Sequence, residues 1–365
     1  MSNAATTAPA LLDSTHEIDG PWMESVLAAS HPTAAVRGVT TGPIGAGNVS
    51  DTVKVVIDYA NRPEGAPASV IAKFKPSDPA VHAHGLGSGA YHREIGAYRI
   101  IGERGACRIP QAFHVAGDET NINLVLEDLT HAVPGNQVAG ATPADAAAVL
   151  TELAALHATF TPMDTATAPD WLIRMSEAAD YWAGITRTGA ETAVERYRDR
   201  LPTADLDLIA AAGELVRSWY LLPQTRLTVS HGDPRVDNVL FEQVEGRTRA
   251  VLIDWQVTGL RNPMYDVGYF LSGSLSAEDR RAVEHDLLDG YLRTFSAITG
   301  GYPREEAVED YRTQLLSGLM ITTAAIAVLP DNDVVNTLIL ALLERNCAAA
   351  HDWDSIRATE QRVAR

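Results

Sequence analysis

The sequence predicts an α+β chain: a small lobe of β-sheet with a helix, followed by a larger, mainly helical lobe. Three observations carry this reading. Between Val39 and Lys75, β-branched and polar residues alternate with the two-residue period of strands. From Thr142 onward, apolar residues recur at helical spacing. A single β island, RLTVSHGDPRVDNVLFEQVEGRTRAVLIDW, interrupts those helices. With 365 residues, 46% of them apolar, the chain can bury a sizeable core, which excludes disorder as its main state.

Composition narrows the function classes. Lys and Arg total 29 against 47 Asp and Glu, a formal charge of −18. Nucleic-acid affinity comes largely from cations that neutralise phosphates, so no nucleic-acid partner is expected. Apolar runs such as Leu319 to Leu329 fall short of the roughly 18 to 20 residues a membrane span needs, so no membrane partner is expected either. Cys107 and Cys347 provide neither a disulfide framework nor a metal-ligand spacing. Residues 1–15 lack the basic start and apolar core of a signal peptide and read as a flexible tail, so a cytoplasmic location is expected.

Taken in order, the segment from Val39 reads as strand, glycine turn, strand, loop and strand, ending in ASVIAKFKP. After the linker GLGSG, Ile95, Tyr98 and Ile101 mark a helix over 91–104. AFHVA and NINLVLEDL add strands, and THAVPGNQVAGATP is a turn-rich connection. The first lobe is expected to span 16–130 and the second 131–365. Thr142 is a plausible N-cap with Pro143 in the first helical position, followed by one apolar face through Val149, Leu150, Leu153, Leu156, His157 and Phe160. Further helices are predicted near 205–220, 277–298, 304–329 and 334–349. In the β island, an exposed Glu-Gly turn joins two short strands.

The island carries the most specific chemistry. Asp233, Asn238 and Asp254 are oxygen-bearing side chains at the ends of strands otherwise made of Val, Leu, Ile and Phe. Such a set suits a hard cation, since magnesium takes one or two carboxylates completed by water and nucleotide phosphates. Taken singly, each residue reads equally as a cap, a turn residue or a strand-end acid. HGDPRVDN, with the aspartate of IDWQ sixteen residues beyond Asn238, resembles the motifs of the aminoglycoside phosphotransferase-like kinases, relatives of the protein kinases. The continuation DWQVTGLRNPMYDVGYFLSGSL is most similar to the ecdysteroid kinase-like and choline-kinase-like branches. HGD stands where protein kinases have HRD, and DWQ where they have DFG, which argues against a protein substrate.

The resemblance implies a two-lobed protein-kinase-like fold with ATP and Mg2+ as cofactors. Asp233 would orient the acceptor hydroxyl or accept its proton, while Asn238 and Asp254 would hold the metal. His231 would support the loop backbone, and Asp266 would brace it. Arg235 would meet a phosphate or substrate, or pair with a neighbouring acid.

In the first lobe, Lys73 in VIAK matches the lysine that pairs with the nucleotide α and β phosphates, and Glu94 would hold it by an ion pair. Lys75 lies two residues on, so a register slip would exchange the two lysines. Gly42, Gly45 and Gly47 form a turn whose backbone N–H groups can approach phosphates, with contacts from Asn48, Val49 and Ser50. LVLEDL resembles the interlobe connection, where backbone groups of Glu127 and Leu129 would meet the adenine edge.

A zinc site from His82, His84 and His92 lacks a tight ligand frame, and a serine hydrolase lacks its G-x-S-x-G elbow. The insert at about 161–224 holds Trp171, Trp182 and Trp219 with Tyr181, Tyr197 and Tyr220, either core or a wall for an acceptor. Glu177, Asp180, Glu191 and Glu195 would meet an amine or form solvated helix faces. The expected activity is ATP-dependent phosphorylation of a hydroxyl on a small molecule: a natural product, antibiotic or sterol-like metabolite first, a choline-like or aminoglycoside amine second. The rivals are a catalytically silent kinase-fold scaffold and an adenylyl-transferring enzyme.

Overall fold

The computed structural model describes residues 8–44 and 50–365, and its chain divides into two compact units. The first comprises residues up to Gly105, Ile109–His131 and the short piece Asp254–Gln256. It begins with α1 (Gly20–Leu27), capped by Asp19, whose carboxylate accepts from the Trp22 N–H. Five strands follow: β1 (Ala35–Pro43), β2 (Asp51–Asn61), β3 (Ser69–Phe74), then, after α2 (Pro79–Gly87) and α3 (Ala90–Arg104), β4 (Ala112–Gly117) and β5 (Ile122–Glu127). They form one antiparallel sheet in the order β1-β2-β3-β5-β4.

Alternation within β3 decides what each face carries. Val70, Ala72 and Phe74 point to a core shared with Trp22, Met23 and Leu27 of α1, so Lys73 faces the opposite side. The tail expected over residues 1–15 is in part not loose. Leu12 exchanges backbone hydrogen bonds with the Asn123 amide at 2.7 and 2.9 Å, and Trp22 Nε1 donates to the Ala10 carbonyl at 2.8 Å. Small polar residues concealed an apolar anchor at Leu12.

The second unit contains Ala106–Arg108, Ala132–Ile253 and Val257–Arg365. β6 (Val133–Pro134) leads to α4 (Pro143–Thr159), where Thr142 and Asp145 form a capping box and Pro143 opens the helix as the sequence predicts. β7 (Ile173–Arg174), α5 (Ala179–Arg196) and α6 (Thr203–Tyr220) form the insert. Then come β8 (Thr228–Ser230), the hairpin β9 (Val239–Val244) and β10 (Arg247–Leu252), and β11 (Gly259–Arg261). Glu245 and Gly246, both with positive φ, make the tight hairpin turn. Strand β11 lies between β7 and β8, so the insert is stitched beside the strand that leads into His231.

Six helices complete the unit: α7 (Met264–Ser274), α8 (Ala277–Thr299), α9 (Arg304–Gln314), α10 (Leu316–Val328), α11 (Asp333–Asp352) and α12 (Ser355–Val363). The helix expected over 304–329 is two helices that meet at Leu315. Trp219, Tyr265, Leu319, Met320 and Leu343 centre one core, so Trp219 and Tyr220 are packing residues and not an acceptor wall. Among the described residues, no helix is long and apolar enough to cross a membrane. The architecture is the two-part α+β, kinase-like arrangement that the sequence predicts.

Candidate active site

In the first unit, β3 and α3 place Lys73 and Glu94 against one another. Lys73 Nζ lies 2.6 Å from Glu94 Oε1, with Glu94 only 1% exposed. The same ammonium reaches Asp254 Oδ1 at 3.4 Å, whereas Lys75 pairs with Asp13 at 2.7 Å, so it is Lys73 that meets Glu94. Burial disfavours the Lys73 ammonium, but the Glu94 and Asp254 carboxylates outweigh it and leave its pKa raised. Burial pushes Glu94 upward against the pull of Lys73.

Helix α3 also grips the segment that follows Asp254. Arg93 Nε donates to the Gln256 carbonyl at 2.6 Å, and Gln256 Nε2 lies 3.5 Å from Glu94 Oε2. Two consecutive helix residues thereby hold one short loop, in which Asp254 adopts a positive φ of 65°. A left-handed aspartate is uncommon, and its cost is met by the contacts around it.

At the end of β5, the Glu127 N–H donates to Gln111 O at 2.8 Å. Asp128 is not the solvated strand-end acid its sequence position allows. It accepts from Ser69 Oγ at 2.5 Å and from Lys54 Nζ at 2.7 Å. Burial works against this carboxylate, yet those donors hold it well below the usual carboxylate range. Leu129 is buried, and no hydrogen bond to its N–H is found among the described residues. Ser50 is buried with its hydroxyl 3.4 Å from Thr52 Oγ1; Gly45, Gly47, Asn48 and Val49 lie outside the described residues.

In the second unit, the loop after β8 holds Asp233. Gly232 has φ +87°, and a Cβ there would meet the Val257 carbonyl at 2.3 Å, so only glycine fits. The buried Asp266 carboxylate accepts from the backbone N–H groups of His231 and Gly232 at 2.6 and 2.9 Å and pairs with His157 Nε2 at 2.9 Å. Burial would raise Asp266, but His157 and these donors hold it below its ordinary value. His231 is occupied structurally, its Nε2 on the Ile253 carbonyl at 2.9 Å.

Asp233 itself is held at both oxygens. Asn238 Nδ2 donates to its Oδ2 at 3.0 Å and to its backbone carbonyl at 2.9 Å. Arg235 Nε stands 3.3 Å from Oδ2, a pairing with a neighbouring acid. The Tyr269 hydroxyl donates to Oδ1 at 2.7 Å. Because both Asn238 donations come from nitrogen, its Oδ1 is the amide atom left over, an oxygen donor of the kind magnesium takes; the Asp254 carboxylate, in the first unit, is by itself another of that kind.

A family model described as "Phosphotransferase enzyme family" matches residues 43–307. The chain belongs to this family. The matched span runs through all the candidate site residues, from Gly45 to Asp254, and also holds Asp266 and Tyr269. Among solved structures, choline kinase from Cryptosporidium parvum Iowa II is similar, with 13% identity, a TM-score of 0.51 and coverage of 89% of this chain and 90% of that one. An ethanolamine kinase from Plasmodium vivax has 11% identity, a TM-score of 0.46 and coverage of 88% and 86%. An ADP-bound aminoglycoside phosphotransferase has 13% identity, a TM-score of 0.47 and coverage of 89% and 98%. At such identities the choline kinase likeness shows the fold alone. No curated protein matches the chain.

Sequence reasoning missed several members of this phosphotransferase's candidate site. Tyr269 lies 36 residues from Asp233, on a helix in which every residue is buried, so no periodicity marks it. Gln137 also escaped notice: its Oε1 accepts from Val236 N at 2.9 Å, and its own N–H donates to Asp237 Oδ1 at 2.7 Å, bracing the loop. Among the described residues, no group of three or more His, Cys, Asp or Glu side chains is placed to hold a metal ion, and His82 instead stacks on Tyr91.

Proposed function

We propose that the protein transfers the γ-phosphoryl group of ATP to a hydroxyl of a small organic molecule. The observation that carries this reading is the state of Asp233: a carboxylate held by Asn238 on a glycine-shaped loop, within the span matched by the phosphotransferase family model. Asp233 orients the acceptor hydroxyl and takes its proton. Phosphoryl transfer proceeds through a loose transition state, so placement and charge stabilisation do most of the work.

The other roles follow the chemistry of each group. Lys73 pairs with the nucleotide phosphates, and the Glu94 and Asp254 carboxylates keep it charged. Asn238 and Asp254 hold magnesium, which when bound neutralises phosphate charge. The Leu129 N–H and the Glu127 carbonyl meet the adenine edge, a role supported by the lack of a partner for the former among the described residues. Backbone groups of Gly45, Gly47, Asn48, Val49 and Ser50 approach the phosphates. The acceptor is a hydroxylated natural product, antibiotic or sterol-like metabolite, with a choline-like or aminoglycoside amine as the second class.

The test begins with a thermal-shift and ATP-consumption screen of hydroxylated metabolites, since ligands of the folded state raise its melting temperature. Asp233→Ala is expected to abolish phosphorylation of the acceptor found while calorimetric Mg-ATP affinity survives. Undiminished turnover in that variant removes Asp233 from its role. A product heavier by an adenylate instead of a phosphate overturns the reaction type.

A further inference from the structure

We propose that Tyr269 is a positioning residue for the phosphoryl-transfer aspartate: its hydroxyl fixes the rotamer of Asp233. The inference rests on the reading of Asp233 given above, but nothing in that reading requires a phenol. The acceptor positions of Asp233 are divided between two donors. Oδ2 accepts from the Asn238 amide, with the Arg235 guanidinium beside it as an ion pair, and Oδ1 accepts from Tyr269 Oη at 2.7 Å. Removing Tyr269 would leave Oδ1 with no protein donor among the described residues.

The phenol is built to donate. Its ring is 7% exposed and packs in the helical core 6.3 Å from the Tyr265 ring, so helix α7 fixes its direction. Burial first, and the Asp233 carboxylate second, push the Tyr269 phenol well above its ordinary pKa, so at neutral pH it keeps the proton it shares. The same helix carries Asp266, which holds the backbone of His231 and Gly232. One rigid element therefore sets both the main chain before Asp233 and the orientation of its carboxylate. Asp233 is then held in one orientation, which suits a reaction whose catalysis is mainly placement.

Tyr269→Phe tests this in the full chain, keeping the ring and removing only the donor. Slow Mg-ATP hydrolysis, with water as the acceptor, supplies the rate, so no other acceptor need be known. The expected result is a variant that melts close to wild type and binds Mg-ATP within about twofold of it. Its hydrolysis rate falls by about tenfold, in keeping with the loss of one charge-assisted hydrogen bond. The deficit lies in kcat, with the KM for Mg-ATP within about twofold of wild type. A folded variant whose rate matches wild type overturns the proposal, and so does one in which only the melting temperature falls. If Tyr269→Phe does not fold, 4-aminophenylalanine at position 269 takes its place; it keeps a donor beside Oδ1 and should retain most of the rate, and a loss of about tenfold there overturns the proposal. Asp233→Asn separates the two readings: a wild-type hydrolysis rate there defeats the assignment of Asp233 and the role of Tyr269 with it, whereas a lost rate beside an unchanged Tyr269→Phe defeats the latter alone.

Discussion

Lys73 and Glu94 form a buried pair in which each residue makes the other tolerable. Glu94 is almost wholly enclosed, and burial already raises its proton affinity with the lysine present. Lys73→Met would strand that carboxylate, a loss of about 3–5 kcal/mol for a broken buried pair. The pH dependence follows from the sign of the shift. A carboxylate whose folded pKa lies above its unfolded one imposes its full cost above the folded value, and the cost is relieved as pH falls through that value toward the unfolded one. Denaturant unfolding of Lys73→Met should therefore show a larger deficit near pH 8 than near pH 5, and Lys73→Met with Glu94→Gln should recover part of it at the higher pH. A deficit independent of pH would mean that Glu94 gains its charge balance elsewhere. At this scale the sequence was partly legible. The resemblance of VIAK and the helix after it implied the pair, since a strand lysine and a helix glutamate are by themselves usually solvated. The bond from Tyr269 to Asp233 was not legible, because nothing local marks a long-range contact inside an apolar helix.

At some positions in the second unit, glycine lets two helices approach one another closely. On α5, a Cβ at Gly189 would lie 1.7 Å from the Thr323 carbonyl oxygen of α10, whereas one at Gly184 would meet nothing within 4 Å. Alanine is the better helix former by about 1 kcal/mol at both positions. Gly184→Ala should accordingly stabilise the protein slightly. Gly189→Ala must separate two backbones, which cannot yield as a side-chain tip can, and should destabilise by about 2–3 kcal/mol despite its better propensity. Thermal melts of the two variants, moving in opposite directions, check the packing of α5 on α10; parallel shifts would contradict it. Elements differ in the same way in how well the sequence announces them. The start of α4 was readable from Thr142 and Pro143 because capping is local chemistry. Helix α7 was not, because it is buried on all sides and its apolar run has no period. The break at Leu315 was missed because neither glycine nor proline marks it.

For the molecule as a whole, the formal charge of −18 bears on how an anionic cofactor is met. The α+β class was legible because the shift from period two to helical spacing is a property of long stretches, and errors at single positions average out; its kinase-like form was implied by the resemblance of HGDPRVDN and IDWQ. Charge is another such sum. On the proposed reading, free ATP would approach a repulsive field, which magnesium would reduce by cancelling part of the nucleotide's charge, so the metal would aid encounter as well as binding. The difference between Mg-ATP and ATP with EDTA should then shrink as salt rises, because at physiological ionic strength exposed charges are screened within about 8 Å. Thermal melts at low and at physiological salt, with each nucleotide form, measure this. Mg-ATP at about a hundred times its dissociation constant should add about 2.7 kcal/mol of stability. Removing the metal should cost part of that at any salt, because Asn238 and Asp254 lose the cation through which they would act on the phosphates. Lys73→Met should reduce the shift with and without metal. Equal shifts for ATP with and without magnesium, at both salt concentrations, would leave Asn238 and Asp254 without the metal-holding role proposed for them.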